Sequence, residues 1–245
     1  MLSWQHMSIN SPLEISRTII AALSTQMLRY HQERIPRDAS ILVVSNHRSF
    51  MDAPILMAAL QRPIRFACHH YMGQIPLLRE IITLQMGCFP LDAKDNRQKS
   101  FLQQASGLLQ TNHAVGIFPE GTKPMVEITE PNGMGKFQRG FAHLALRTQV
   151  ENLAILPVAI ASLEEVNATT VVPLKFLGLF DPTEPLFNQP GWHPIVVYRR
   201  VAVLIGRPYW INASHRQQYQ GKQARSVVTE VSEYCYSEIY GLLKS

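Results

Sequence analysis

Residues 41 to 54 read ILVVSNHRSFMDAP, and this stretch carries the first evidence for the fold. It opens with four branched apolar residues in a row, a pattern typical of a strand buried on both faces. A polar segment follows, and because proline is tolerated only near a helix start, Pro54 predicts a helix beginning near Asp52. A buried strand, a polar loop and a helix in direct succession favour an α/β architecture.

The same alternation of strands and helices continues along the chain. Strands are predicted at residues 64 to 67, 88 to 91, 114 to 118 and 154 to 161, with 195 to 205 forming one long strand or a hairpin. Helices are predicted at residues 53 to 60, 76 to 85, 97 to 110, 136 to 149 and 222 to 242. We therefore expect an α/β fold with a central, mostly parallel sheet flanked by helices and an N-terminal amphipathic helical segment.

The N-terminal segment has the spacing of an amphipathic helix from residue 11 to 31. Ser11 is placed to cap it, Glu14 stands three residues later, and apolar residues recur at 15, 19, 22, 23 and 27. This apolar face suits packing on a protein core and an interfacial position at a membrane equally well. We expect residues 1 to 36 to form this helical segment and residues 37 to 245 to form one larger domain.

Composition limits the class of protein. The chain has 245 residues, 46% hydrophobic and 17% charged, so it can build a sizeable core and is not disordered throughout. Its net charge of +5 favours anionic partners but is too small to indicate nucleic acid. The three cysteines form no CxxC pair, which argues against a disulfide framework or a cysteine zinc site and favours a reducing compartment.

His47 and Asp52 stand five positions apart, just after the first predicted strand. On one continuous helix, five residues advance about 500°, so the two side chains would point about 140° apart. If a loop carries His47 and a helix begins at Asp52, the carboxylate can instead turn back onto the imidazole. Such a pair can remove a proton from a substrate hydroxyl, with the carboxylate orienting the imidazole. The simpler alternative is that Asp52 caps the helix and His47 packs beside it.

A second polar segment, FPEGTK at residues 118 to 123, follows the apolar run 114 to 118. Glu120 therefore lies just past a predicted strand, where open α/β sheets bind ligands. Gly121 allows a substrate to approach the backbone closely, and Lys123 adds a positive charge that can meet a phosphate. Because both polar segments follow strands, we expect them to share one cleft.

Together these segments resemble the glycerolipid acyltransferases, the family that includes 1-acylglycerol-3-phosphate and glycerol-3-phosphate acyltransferases. The resemblance rests on the NHxxxxD block at residues 46 to 52 and the FPEGT block at 118 to 122, in this order and at a fitting separation. Two further blocks, ILPV at 155 to 158 and FQRG at 137 to 140, support it. The resemblance covers residues 40 to 160 and makes 37 to 245 an acyltransferase domain.

The resemblance implies direct transfer of an acyl group from acyl-CoA or acyl carrier protein to a hydroxyl, with no metal or redox cofactor. It makes His47 the general base, oriented by Asp52. It also implies a lysophospholipid acceptor, foremost 1-acylglycerol-3-phosphate, which would yield phosphatidic acid. The residues implied to bind substrate are Asn46, Glu120, Gly121, Thr122 and Lys123. His69 and His70 are interpreted as non-metal residues, since no further ligand stands at metal-binding spacing.

One block of the family departs from its usual pattern in this chain. The family's second block places an arginine, thought to hold the acceptor phosphate, where this chain has Ala93. Lys94 or Arg97 could replace it as a substrate-binding residue, and Lys123 stands where many members have arginine. Two alternatives therefore stay open. They are an acyltransferase for a phosphate-free lipid acceptor and a catalytically idle lipid-binding protein of the same fold.

The chain is expected in the cytoplasm, attached peripherally to a membrane surface. A spanning helix needs about 20 consecutive apolar residues, and no stretch of the sequence approaches this length. A long-chain lipid acceptor resides in a bilayer, and the helical segment 11 to 31 offers an apolar face for reversible attachment. Residues 185 to 229 carry six basic residues and no acidic ones, which suits an anionic membrane interface as well as a solvated strand face.

Overall fold

The structure is a computed structural model that describes residues 11–68, 72, 74, 79–92, 97–121, 127, 129–179 and 185–245. Within these ranges the strands are β1 (Gln26–Tyr30), β2 (Ser40–Ser45), β3 (Ile64–Cys68), β4 (Phe89–Pro90), β5 (Ala114–Ile117), β6 (Leu153–Pro173), β7 (Trp192–Ile205) and β8 (Tyr209–Ile211). The α-helices are α1 (Pro12–Ala22), α2 (Asp52–Leu60), α3 (Arg97–Gln110), α4 (Gly140–Arg147), α5 (Leu174–Gly178), α6 (Ala213–Gln220) and α7 (Ala224–Lys244). Shorter segments are the 3-10 helices Gln32–Arg34 and Pro185–Asn188 and the π-helix Glu80–Gln85.

The strands form one sheet in the order β1, β7, β6, β2, β5, β3, β4, with β8 pairing the start of β6. The central strand β2 is parallel to both of its neighbours, β5 and β6. The parallel part continues through β3 and β4, whereas β7 is antiparallel to β6. This topology confirms the predicted α/β class with a mostly parallel central sheet.

Two apolar cores cover the two faces of the sheet, because alternate residues of a strand point to opposite sides. Leu42 and Val44 of β2 belong to the core built with α3, α4 and α7. Ile41 and Val43 belong to the core built with α1 and α2. All four side chains are at most 1% exposed, so β2 is the doubly buried strand that its apolar run predicts.

Most predicted helices are found close to their expected positions. Those at 53 to 60, 97 to 110 and 222 to 242 correspond to α2, α3 and α7. Of the helix predicted at 76 to 85, residues 76 to 78 lie outside the described part, and 80 to 85 are π-helical. The helix α4 begins at Gly140 rather than at 136, because the backbone N–H of Gln138 donates to the Pro119 carbonyl at 2.8 Å. That bond draws residues before Gly140 into the turn beside Glu120.

The strand β6 is much longer than the predicted 154 to 161. Its first part pairs with β2 up to Val158, and the rest pairs with β7 until Pro173 lies opposite Trp192. The two strands therefore form an antiparallel ribbon that extends past the carboxyl end of β2. Sequence reasoning missed this extension because Glu164 and Glu165 interrupt the apolar run, and the mixed sequence VNATT after them lacks the apolar pattern of a buried strand.

The predicted helix from 11 to 31 is wrong beyond Ala22. Its start is as expected, since the Ser11 side chain accepts a hydrogen bond from the Glu14 backbone at 3.3 Å. The chain then turns at Ser24, whose φ is +53°, and β1 pairs in parallel with β7. Edge pairing gives the β1 backbone hydrogen-bond partners that apolar spacing cannot reveal.

The first helix packs on the protein core, where Ile20 of α1 is 9% exposed and belongs to the core on the α2 side. The boundary expected at residue 36 stays a prediction, although β1 is a strand of the same sheet as the rest of the chain. Among the described residues, no helix has the length and apolar character needed to cross a membrane.

Candidate active site

The histidine loop, residues 46 to 51 between β2 and α2, carries His47 and leads into Asp52. β2 ends at Ser45, His47 follows within the loop, and α2 begins at Asp52. The spacing argument made from the sequence is therefore met, because a turn separates the two side chains. His47 Nδ1 and Asp52 Oδ2 are 2.8 Å apart. The His47 side chain is 20% exposed and that of Asp52 is fully buried, so only the imidazole can be reached from solvent.

Asp52 also organises the backbone of the loop. Its Oδ2 accepts hydrogen bonds from the Arg48 N–H at 2.6 Å and the Ser49 N–H at 2.8 Å. One carboxylate therefore does both things that the sequence left as alternatives, holding the turn ahead of the helix and contacting the imidazole. Because a carboxylate only accepts, His47 Nδ1 carries the proton, and Nε2 is left with a lone pair.

The second oxygen of Asp52 is held by a residue that sequence reasoning missed. Tyr198 of β7 donates its hydroxyl to Asp52 Oδ1 at 3.0 Å and is 1% exposed. Burial, and then the negative charge of Asp52, raise the pKa of Tyr198 well above its ordinary value, so the phenol stays a donor. In the sequence, Tyr198 stands among apolar residues of a predicted strand, and this pattern does not indicate which residue it contacts.

The imidazole of His47 is oriented by stacking as well as by Asp52. The ring centroids of His47 and Phe118 are 4.2 Å apart with an interplanar angle of 15°. Phe118 in turn stacks on Phe66, with centroids 5.1 Å apart. The backbone N–H of His47 donates to Glu120 Oε1 at 2.9 Å. The FPEG turn thus supports the histidine loop directly, and the two predicted segments do share one site.

Glu120 connects the histidine loop to a third segment of the chain. Its Oε2 accepts the Gly135 N–H at 2.6 Å, and the residue is 6% exposed. Burial raises the pKa of Glu120 above its ordinary value, although the two backbone bonds oppose this. A Cβ on Gly135 would lie 2.8 Å from Glu120 Oε2, so this close approach requires glycine. Gly121 has a φ of +73°, which only glycine adopts without strain.

Two further polar residues of the histidine loop tie it to β6. Asn46, which is 3% exposed, donates to the Ile160 carbonyl at 2.9 Å and accepts from the Ile160 N–H at 2.8 Å. Arg48 forms a bidentate ion pair with Glu165, at 2.6 and 2.8 Å, and both side chains are nearly buried. Arg48 Nε also donates to the Thr129 carbonyl at 2.9 Å. These bonds hold the loop against the ribbon.

The structure therefore brings together His47, Asp52, Asn46, Glu120 and Gly121. Their assigned roles stay predictions, and the amide of Asn46 is engaged by the β6 backbone rather than pointing to a free site. Arg97 begins α3. Lys94, Thr122, Lys123, His69 and His70 lie outside the described residues. Among the described residues, no group of three His, Cys, Asp or Glu side chains could hold a metal ion.

The chain is similar in sequence to known acyltransferases. The chain is 24% identical over 157 residues to the 1-acyl-sn-glycerol-3-phosphate acyltransferase of Borreliella burgdorferi, covering 64% of this chain and 59% of that protein. It is 29% identical over 139 residues to the chloroplastic 1-acyl-sn-glycerol-3-phosphate acyltransferase LPAT1 of Arabidopsis thaliana, covering 56% and 36%. The chain thus spans three fifths or less of the length of these relatives.

A solved structure has the same fold. The 1-acyl-sn-glycerophosphate acyltransferase PlsC from Thermotoga maritima superposes with a TM-score of 0.57 and 19% identity, covering 96% of this chain and 78% of that one. The model of the acyltransferase family matches residues 27–161, more than half of the chain and the part that contains both polar segments of the site. This protein belongs to the acyltransferase family.

Proposed function

We propose that this protein transfers a fatty acyl group from acyl-CoA or acyl carrier protein to the free hydroxyl of 1-acylglycerol-3-phosphate, forming phosphatidic acid. The observation that carries the proposal is the 2.8 Å contact between His47 Nδ1 and the buried carboxylate of Asp52. It leaves a lone pair on Nε2 at a partly exposed ring. The relatives named as 1-acyl-sn-glycerol-3-phosphate acyltransferases support this choice of acceptor.

In the proposed reaction, His47 Nε2 takes the proton of the acceptor hydroxyl as its oxygen attacks the thioester carbonyl. The new C–O bond forms, the C–S bond breaks, and the imidazolium returns the proton to the departing thiolate. Asp52 holds the imidazole in the required tautomer and stabilises its transient positive charge. Atoms and charges balance within this cycle, so the proposal needs no metal or redox cofactor.

A turnover assay tests the proposal. Purified protein receives labelled acyl-CoA or acyl carrier protein with a panel of single-chain lipids, with and without phosphate. We expect transfer to 1-acylglycerol-3-phosphate, and a loss of roughly 10² to 10⁴ in turnover for His47→Ala and for Asp52→Asn. The matched control is His113→Ala, an exposed histidine directly before β5 and so at the opposite end of that strand from Phe118.

Each other outcome has a defined meaning. Equal turnover in the wild type and in the His47→Ala variant would contradict the site assignment. Transfer restricted to phosphate-free acceptors would support the alternative acceptor suggested by Ala93, whose surroundings lie outside the described residues. No transfer by a folded wild-type protein would favour the idle lipid-binding alternative.

We further propose that the protein works peripherally at the cytoplasmic face of a membrane. Large apolar side chains are exposed near the site, among them Phe50 in the histidine loop, which is 55% exposed, and Trp192 on the ribbon, which is 46% exposed. Lipid vesicles containing anionic phospholipid should co-sediment with the protein. Phe50→Ser should weaken vesicle binding. If this variant binds vesicles as well as the wild type does, Phe50 does not contact the membrane.

A further inference from the structure

A groove runs between α4 and α7 on one face of the sheet. It consists of two adjoining cavities, with volumes of about 300 Å³ and about 470 Å³, that share Arg139. The smaller cavity lies between the chain around Gly135 and the part of α7 around Ser232 and Tyr236. The larger one lies between α4, the end of α6 and the start of α7. Arg139 belongs to the FQRG block and Arg225 to the basic segment 185 to 229, but the sequence assigned neither of them to the acyl donor.

The larger cavity is strongly basic. Arg139, which precedes α4, is followed at intervals of four residues by His143 and Arg147 of α4, and Arg225 approaches from α7. No carboxylate lines this cavity, and within the described ranges none of the three guanidiniums forms an ion pair with an acidic side chain. Burial lowers the pKa of His143 most, and the charges of Arg147 and Arg139 lower it further.

Part of the basic cavity is held in place by hydrogen bonds. Arg147 Nε donates to the Tyr219 hydroxyl at 2.6 Å, and that hydroxyl also contacts His143 Nδ1 at 2.9 Å. Only one of the five N–H donors of Arg147 is used in this bond, and the guanidinium lies 5.8 Å from the centre of the Tyr219 ring. Three guanidinium forks facing one concavity suit phosphate oxygens, which they can bind in a bidentate manner.

The groove passes a residue that is hydrogen-bonded to the active site. Its smaller part begins at Gly135, whose N–H is bonded to Glu120, and Glu120 is bonded to the His47 backbone. From there α4 runs toward Arg147 over eight residues, a rise of about 12 Å. A long donor molecule that places its thioester near His47 could therefore reach the basic cavity along this groove.

We propose that the basic cavity binds the nucleotide phosphates of an acyl-CoA donor, with the pantetheine arm lying in the smaller cavity. This inference rests on the proposed acyl transfer. The larger cavity, of about 470 Å³, lies within the range of about 300 to 1,000 Å³ that is usual for small-ligand sites, which favours a nucleotide as its occupant. The proposal thereby chooses between two donors that the sequence alone left open.

The test measures binding without turnover. Isothermal titration compares coenzyme A, and an adenosine bisphosphate representing its nucleotide end, on the wild type, Arg139→Ala, Arg225→Ala and the double variant. We expect about tenfold weaker binding of both ligands for each guanidinium removed. The control is Arg29→Ala, which removes an exposed arginine from the edge strand β1. Unchanged affinity in the double variant would overturn the inference.

A kinetic comparison separates this inference from the proposed function. With acyl-CoA, the double variant should show a raised KM and an unchanged kcat. With an acyl thioester of N-acetylcysteamine, which has no nucleotide, its KM should equal that of the wild type. Equal losses with both donors would overturn the inference while leaving acyl transfer intact. A wild type that lacks transferase activity but whose nucleotide binding depends on Arg139 and Arg225 would refute the proposed function and leave a nucleotide site.

Discussion

Replacing Tyr198 by phenylalanine removes one hydroxyl and keeps the volume of a fully buried ring. The lost bond is a 3.0 Å donor contact to the Asp52 carboxylate, which is itself 0% exposed. Hydrogen bonds to charged groups contribute about 1.5 to 3 kcal/mol to folding stability. For a chain of this size, each kcal/mol shifts Tm by about 2 to 4 °C, so Tyr198→Phe should melt roughly 3 to 12 °C lower.

The same substitution tests whether Tyr198 positions the catalytic pair. Asp52 keeps three donors on Oδ2 but loses its only described donor on Oδ1. If the loss of this hydrogen bond raises the activation free energy by about 1.4 kcal/mol, kcat falls about tenfold, and KM for both substrates stays constant. Turnover is measured well below the melting temperature of the variant, so that unfolding does not contribute.

The matched control for this prediction is Tyr240→Phe, because Tyr240 of α7 is 48% exposed and should lose no more than about 0.5 kcal/mol. A Tyr198→Phe protein with wild-type kcat and lowered Tm would assign Tyr198 a purely structural role. Wild-type values for both quantities would refute the inference that this hydroxyl supports Asp52.

Three other predictions follow from the contacts around the site. Because burial raises the pKa of Glu120 above its ordinary value of 4.5, ionising Glu120 costs folding stability. In urea unfolding, the wild type should therefore lose stability relative to Glu120→Gln as pH rises from about 4.5 through the raised pKa of folded Glu120. A stability difference between the two proteins that is constant with pH would contradict this. Gly135→Ala should lower turnover by displacing Glu120, whereas Gly107→Ala in α3, where a Cβ meets nothing within 4 Å, should leave turnover unchanged. Arg48→Met should destabilise the fold by about 3 to 5 kcal/mol in urea unfolding, and adding Glu165→Met should recover part of this loss, since one buried charge without its partner costs more than none.

The parts of the site that follow β2 and β5 were accessible from the sequence because they depend on local rules. The apolar run before Ser45 predicts the buried strand, Pro54 marks the start of the helix, and the spacing of His47 and Asp52 requires a turn between them. The structure meets each of these expectations. The N-terminal helix was wrongly predicted beyond Ala22 because the helical spacing of apolar residues continues to Met27. In the structure, residues 26 to 30 instead pair with β7.

Other parts of the site depend on contacts between distant segments. Tyr198 meets Asp52 across 146 residues of sequence, and Arg48 meets Glu165 across 117. Both partners lie on the ribbon of β6 and β7. Residues 195 to 205 of β7 were predicted to be a strand or a hairpin, but the extension of β6 that pairs with β7 was not predicted. No motif in the sequence pointed to Gly135, and its role follows only from the position of the Glu120 carboxylate beside its N–H.

By itself, the sequence determined the α/β class, the family resemblance and the turn between His47 and Asp52, because strand burial, helix starts and turns are encoded by neighbouring residues. Tertiary structure alone decided which groups surround that pair and where the basic groove lies. It placed Tyr198 on Asp52, engaged Asn46 with the β6 backbone and aligned Arg225 with the arginines of α4. These contacts join segments far apart in the chain, and no local pattern of residues specifies which distant groups the folding of the sheet will bring together.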